Sequence, residues 1–406
     1  MTLVEKKLVQ KQREDLLTGC EAVAHAVMLA DVDVIAAYPI RPYTEVMDAV
    51  SKLIADGKFE AEYIIAEGEH SQFEIVKHAS AVGARVFAGS SGTGWMYAME
   101  ALAVTASDRL PVVALVGNRA LDDPGAFGVE HNDALAVRDL GWLLVWAATA
   151  QEALDTTLLL YRIAEDPQVM FPAALAMDGG FLTHSQHMVR IPSKELVNKF
   201  LPPYSLGDRR LHPDNPISIA PQANEDWVIE IRKQNAEATK QVPAVVNKAY
   251  KEFEEVFNRD LGNPWLEEYM MEDADVTILG MGTLAITAKA AVKRLRKRGL
   301  KVGVVRPKWF RPFPTELLKK ILSPVGAVAV VDRDFAYGSP FYSGVLYSEI
   351  RSTLYGSRNR PTITNFIAGL GGREISIAEV IKMIEATYKA KEEGVDDYVQ
   401  WVGVRE

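Results

Sequence analysis

Cysteine is nearly missing from these 406 residues: Cys20 is the only one. A single thiol excludes a disulfide framework, a CxxC zinc site and an iron–sulfur ligand set. If the chemistry is redox, the electron carriers must sit on something else. Cys20 falls on a predicted helix over 19–30, where a small core side chain is the expected role. Long apolar runs are missing as well, so no stretch is long enough to span a bilayer. The first 14 residues are polar and charged, so no secretory signal is read there and the expected compartment is the cytoplasm. Positive charge is not in excess either. The formal net charge of −9 argues against nucleic acid or an anionic membrane as partner. What is there is ordinary globular composition, 48% apolar and 24% charged, in a chain long enough for about two to three domains.

The most informative stretch is Tyr38-Pro39-Ile40-Arg41-Pro42-Tyr43-Thr44-Glu45. It follows a short apolar run, 34–37, and precedes Val46, Met47, Val50, Leu53 and Ile54, which recur at helical spacing before Gly57. Arg41 is therefore expected where a strand ends and a helix begins, with Pro42 tolerated in the first turn. Such a junction offers unpaired amides and the positive end of a helix dipole, which suits an anion.

Further strands are predicted at 62–66, 85–88, 110–116, 141–146 and 173–177, with helices between them. Alternation of this kind predicts a mostly parallel α/β sheet covered on both faces. The strand ends carry Glu67-Gly68-Glu69-His70, then the small-residue turn Gly89-Ser90-Ser91-Gly92-Thr93-Gly94, then Gly117-Asn118-Arg119. Ligands in open α/β sheets collect beyond these ends. From 184 to 224 the periodicity dissolves among prolines and reads as a long surface excursion. A polar helical segment, 225–257, leads to a boundary near Gly262-Asn263-Pro264. A second α/β unit follows, with strands at 276–279, 302–305, 327–331 and 363–367. Its Gly280-Met281-Gly282 resembles the start of a dinucleotide fingerprint, but Ala285 replaces the third glycine and no acidic residue follows the second strand. A tight strand-to-helix turn is the expected reading there.

The motifs Tyr38-Pro39-Ile40-x-Pro42, Glu67-x-Glu69-His70, Asn118-Arg119-Ala120-Leu121, Ala136-Val137-Arg138-Asp139-x-Gly141-Trp142 and Ile367-Ala368-Gly369-Leu370-Gly371-Gly372-Arg373 together resemble the α subunit of a thiamine-diphosphate-dependent 2-oxoacid:ferredoxin oxidoreductase. The match covers most of the chain. It implies a transketolase-like α/β fold: a pyrimidine-binding domain over 1–260 with the 184–224 excursion, a transketolase carboxy-terminal-like domain over 261–380, and a docking tail over 381–406. It also implies partners. A β subunit would bind the diphosphate half of the cofactor with Mg2+ and a [4Fe-4S] cluster. A γ/δ-type subunit would carry ferredoxin-like clusters, ferredoxin would accept the electrons, and the assembly would be a dimer of heterotrimers. The sequence agrees by omission, having no Gly-Asp-Gly followed by Asn and no cluster cysteines.

Within that resemblance Glu69 occupies the position of the acid that bonds the aminopyrimidine ring, with Glu67 the rival and His70 left to capping or packing. Ile40 and Gly92 are expected beside the cofactor. Arg119 matches the family's substrate-carboxylate arginine. Position 41 is usually a hydroxyl residue, Thr in the pyruvate enzymes, and here it is Arg41. A methyl group has no use for a guanidinium, whereas a second carboxylate does. Two arginines at one small cleft therefore point to oxalate, and within the family to oxalate oxidoreductase. The expected reaction yields two CO2 and two electrons without coenzyme A. Asp122 could swing toward Arg119 as carboxylate charge is lost, or could belong to a solvated acidic loop; Phe127 could wall the pocket or anchor that loop in the core. The alternatives are pyruvate or 2-oxoglutarate as substrate, a nicotinamide-dependent dehydrogenase, and a non-catalytic scaffold subunit.

Overall fold

The computed structural model describes residues 12–122, 124–395 and 398–405. The reading of the amino end thus falls largely, and Asp123 entirely, outside the described residues. The described chain enters on β1 (Gln12–Leu17), after which Thr18 caps α1 (Gly19–Leu29). The Thr18 hydroxyl accepts from Glu21 N at 3.2 Å, and the Glu21 carboxylate accepts from Thr18 N at 2.8 Å. This reciprocal box satisfies amides that a helix start leaves open. Cys20 is buried on that helix.

Strands and helices then alternate: β2 (Val34–Ala37), α2 (Thr44–Ala55), β3 (Glu62–Ile65), α3 (Glu69–Ala81), β4 (Val86–Ser90), α4 (Gly92–Tyr97), α5 (Met99–Ser107), β5 (Val113–Asn118), α6 (Asn132–Ala136), β6 (Leu143–Ala147), α7 (Ala150–Ala164) and β7 (Ala173–Asp178). β2 to β7 pair in parallel in the order β6-β7-β5-β4-β2-β3. Every residue of β4, β5, β6 and β7 is buried, as a parallel sheet with helices on both faces requires.

Residues 184–224 are more ordered than their sequence suggests. They contain β8 (His187–Pro192) and α8 (Lys194–Phe200). β8 pairs antiparallel with β1, with Val189 and Ile191 facing in and Met188 and Arg190 facing out. The polar segment after it is two helices, α9 (Asn224–Thr239) and α10 (Val242–Phe257), and only α10 buries a broad apolar face.

The second unit comprises β9 (Leu266–Tyr269), β10 (Val276–Leu279), α11 (Leu284–Lys297), β11 (Val302–Pro307), β12 (Trp309–Arg311), α12 (Thr315–Leu322), β13 (Ala327–Asp332), α13 (Val345–Leu354), β14 (Thr362–Ile367), α14 (Ile377–Glu393) and β15 (Tyr398–Trp401). Its sheet runs β15-β14-β13-β10-β11-β9, antiparallel only at β9. β12 leaves it and pairs antiparallel with β6, becoming the seventh strand of the first sheet. The units are thereby stitched together. One apolar cluster runs through both, joining Phe73, Trp95, Trp142 and Trp146 to Phe310, Val330 and Leu346. The buried Arg306 beside it bonds Glu152 at 2.8 Å and Glu267 at 2.9 Å. Residues after 380 continue the second sheet: α14 buries Val380, Met383 and Ile384, and the Trp401 ring lies 4.9 Å from that of Phe335. Among the described residues no helix is long and apolar enough to cross a membrane.

One glycine shows how tightly the strand ends are packed. The fully buried Tyr43 ring lies across Gly89, and a Cβ there would collide with the ring and sit 2.8 Å from Leu115 O. Gly89→Ala is expected to cost about 1–3 kcal/mol, seen as a Tm lower by roughly 2–10 °C in thermal unfolding. An unchanged Tm would mean the ring can move aside.

Candidate active site

The carboxyl ends of β2, β3, β4 and β5 deliver the candidate residues to one edge of the first sheet. Arg41 lies beyond β2 and Arg119 beyond β5, with β4 between them. Their contact is through the main chain of Arg41, Arg119 Nη1 donating to the Arg41 carbonyl at 3.3 Å, and the structure does not bring the two guanidinium groups together. The two differ sharply in exposure. The Arg41 side chain is 69% exposed, and Glu45 Oε1, one helical turn on, lies 3.8 Å away. The Arg119 side chain is buried, and its Nη2 donates to Asp122 Oδ2 at 2.8 Å. Phe127 is 77% exposed with its ring centre 5.6 Å from the Arg119 guanidinium carbon, so it lies over the arginine and does not anchor the loop in the core. The loop closes through Ala120 N to Gly128 O at 3.0 Å. It docks on the second unit through Gly372 N to Val129 O at 3.2 Å.

Glu69 is the first residue of α3, at the positive end of the helix, and its side chain is buried. Among the described residues no hydrogen bond reaches its carboxylate. Gly94 makes room for it: a Cβ at Gly94 would collide with the carboxyl and sit 2.7 Å from Ile40 Cδ1. Glu69, Ile40 and Gly94 therefore form one small cradle. Glu67 stands exposed at the end of β3, and His70 faces Glu100 at 3.2 Å on the surface. Around the cradle several buried polar atoms have no partner among the described residues: Gln72 Oε1, Ser90 Oγ, Ser91 Oγ, Asn118 Oδ1 and Arg119 Nε. Buried polar atoms are normally paired, so a concentration of orphans at adjoining strand ends marks a place built for a polar ligand. Gly92 sits beside it with φ of +52°, its N–H donating to Asp133 Oδ2 at 2.9 Å.

Sequence reading missed the buried charges behind this edge. Asp178, at the end of β7, lies 2.8 Å from His131 Nε2 and accepts from Arg333 Nη1 at 2.8 Å and from Thr283 N at 2.8 Å. Burial alone would raise its pKa, but Arg333 and His131 outweigh that and hold the carboxyl well below the usual range. The same contact decides the glycine pair of the second unit. A Cβ at Gly282 would sit 2.6 Å from Asp178 Oδ1, so a protein carboxylate already fills the turn where a dinucleotide's pyrophosphate would rest. A depressed carboxylate contributes stability that is complete above its unfolded value of about 3.9 and is lost as pH falls through the folded one. Asp178→Asn is therefore expected to lower stability at pH 7 and to flatten its decline below about pH 4, measured by urea unfolding across pH. An unchanged acid slope would contradict this.

Residues 25–251 match the family described as pyruvate flavodoxin/ferredoxin oxidoreductase, thiamine diP-bdg, and residues 274–380 match pyruvate:ferredoxin oxidoreductase core domain II. Pyruvate synthase subunit PorA of Methanocaldococcus jannaschii is 38% identical over 391 residues, 96% of this chain and 98% of its own length. Ketoisovalerate oxidoreductase subunit VorA of Pyrococcus abyssi is 37% identical over 404 residues, 98% of this chain and 99% of its own. In fold, the chain superposes on 2-oxoglutarate:ferredoxin oxidoreductase from Magnetococcus marinus with a TM-score of 0.71 at 18% identity, covering 92% of this chain and 65% of that one. A split-gene transketolase gives 0.55 at 14% identity, covering 92% and 99%. The fold is thus transketolase-like, and the chain belongs to the pyruvate flavodoxin/ferredoxin oxidoreductase family as an α-type, thiamine-diphosphate-binding subunit of a 2-oxoacid:ferredoxin oxidoreductase.

Proposed function

We propose that this subunit supplies the pyrimidine half of a thiamine diphosphate site in a complex that oxidises oxalate to two CO2 without coenzyme A. Electrons pass through iron–sulfur clusters on partner subunits to ferredoxin. The observation that supports the substrate is that Arg41 and Arg119 stand at one edge of the sheet, the Arg119 guanidinium reaching the main-chain carbonyl of Arg41 at 3.3 Å. Each guanidinium now has a protein acid near it, Glu45 at 3.8 Å and Asp122 at 2.8 Å, and oxalate, the smallest 2-oxoacid with two carboxylates, would take the place of both. The names of the relatives favour the second reading: pyruvate synthase and ketoisovalerate oxidoreductase act on acids with a single carboxylate. The reading for oxalate rests on the resemblance drawn from the sequence, which places Arg41 where the family usually has a hydroxyl residue.

The cofactor, when bound, supplies a nucleophilic carbon and a sink for the electron pair. The cradle fits its pyrimidine end: Glu69 would hydrogen-bond the ring, with Ile40 and Gly92 alongside. Arg119 would take one substrate carboxylate and Arg41 the other, the two cations offsetting charge that a carboxylate otherwise keeps from a nucleophile. Asp122 already occupies part of the Arg119 fork at 2.8 Å. A substrate carboxylate must displace it or share the arginine, and departure of the first CO2 would let Asp122 return. Phe127 would cover Arg119 from the solvent side. A partner subunit would complete the half-site.

Ferredoxin reduction by the assembled complex, supplied with oxalate, pyruvate, ketoisovalerate or 2-oxoglutarate, each with and without coenzyme A, separates the readings. Turnover of oxalate alone, without coenzyme A, supports the first. Coenzyme A-dependent turnover of pyruvate with none of oxalate establishes the second.

A further inference from the structure

We propose that Asp133 is a positioning residue for the substrate-binding arginine, fixing Arg119 against the Gly92 turn from behind the site. The inference rests on the reading that Arg119 holds a substrate carboxylate. The ladder between β4 and β5 ends at the pair Ser90 and Val116. Beyond it no further register pair joins the two strands among the described residues, and the residues that follow include Gly92 on one side and Arg119 on the other. Asp133 takes over there. Its Oδ2 accepts from Gly92 N at 2.9 Å on one chain and from Arg119 N at 3.0 Å on the other. Its Oδ1 accepts from Asn118 Nδ2 at 2.7 Å and from Ala134 N at 2.7 Å.

The carboxylate is wholly buried, and no hydrogen bond or ion pair to a cationic side chain reaches it among the described residues. An isolated buried charge is costly, and four donors meet that cost only if the main chains stay where they are. The helix carrying Asp133 is five residues long and is itself fixed from both units, His131 N donating to Arg333 O of the second at 2.8 Å and His131 Nε2 meeting Asp178 of the first at 2.8 Å. The height of Arg119 above the sheet is thus set by a rigid seam between the two units, not by the exposed loop that follows it. Displacing a substrate-holding group by about 1 Å can cost on the order of a hundredfold in rate.

A double-mutant cycle in the assembled complex tests this, with kcat/KM and Tm as readouts. Asp133→Ala is expected to lower kcat/KM about tenfold to a hundredfold in the native background but less than about threefold beside Arg119→Met, while lowering Tm equally in both. Asp133→Asn should recover part of the activity: its amide oxygen can still accept from Gly92 N and Arg119 N, and its nitrogen can donate to Asn118 Oδ1 once that amide turns over, but the nitrogen then faces the Ala134 N–H. If Asp133→Ala does not assemble, Asp133→Ser, which keeps an acceptor oxygen, takes its place in the cycle. An equal loss of kcat/KM in both backgrounds would overturn the proposal, because Asp133 would then support the fold without acting through Arg119. No loss on Arg119→Met alone would instead overturn the substrate-binding reading.

Discussion

Arg41→Thr is expected to lower kcat/KM for oxalate by roughly a hundredfold to a few thousandfold, with little change in assembly or Tm. At an effective dielectric of about 20, opposite charges about 4 Å apart attract by roughly 4 kcal/mol before desolvation. Leaving one carboxylate of a buried dianion without its partner costs ~3–5 kcal/mol, and each 1.4 kcal/mol is a factor of ten. Stability should barely respond, because the side chain is mostly exposed and its nearest acid, Glu45, stands 3.8 Å away, a geometry worth at most about 1 kcal/mol on a surface. The variant also places the family's usual hydroxyl residue at position 41, so any turnover of pyruvate should be unchanged or higher. Full oxalate turnover in the variant would refute the role given to Arg41.

The largest loss is expected for Glu69→Ala, on the order of 10²- to 10⁴-fold in kcat, the range typical of removing a group that moves a proton in the reaction. Stability separates this from damage to the fold. The buried carboxylate receives no hydrogen bond among the described residues, so removing it takes away a desolvated polar group and no contact that holds the helix. Tm should stay level or rise, the usual sign of a site that trades stability for chemistry. A scaffold subunit without a catalytic part would instead leave the complex fully active when Glu69 is replaced.

The parallel sheet was legible because each strand is a short, apolar run and each helix shows its own period. The candidate site was read from three strand ends that carry Arg41, Glu69 and Arg119; in the structure all three lie at one edge of the first sheet, with the Arg41 side chain exposed. What stayed hidden depends on partners distant in the chain. β8 alternates in and out, but its partner β1 is more than 150 residues earlier, and the strand ends at Pro192, where a proline-rich stretch begins. β12 is three residues long and belongs to the sheet of the other unit, which no local period can reveal. Asp133 and Asp178 resemble ordinary loop acids until their donors are known: two main-chain amides from beyond different strand ends for one, Arg333 and His131 for the other. Burial turns such residues from solvated charges into fixed points, and sequence alone does not show burial of single polar residues.

Substrate choice is where resemblance and local chemistry part. Most of the chain follows relatives named for pyruvate and ketoisovalerate, while one guanidinium beside the strand end asks for a second carboxylate. The most direct test is a crystal structure of the assembled complex with thiamine diphosphate and oxalate bound. The account predicts the Arg41 guanidinium turned inward, within about 2.7–2.9 Å of a substrate carboxylate oxygen, opposite Arg119. An Arg41 side chain left in solvent or held by Glu45, with oxalate bound elsewhere or not at all, would contradict it.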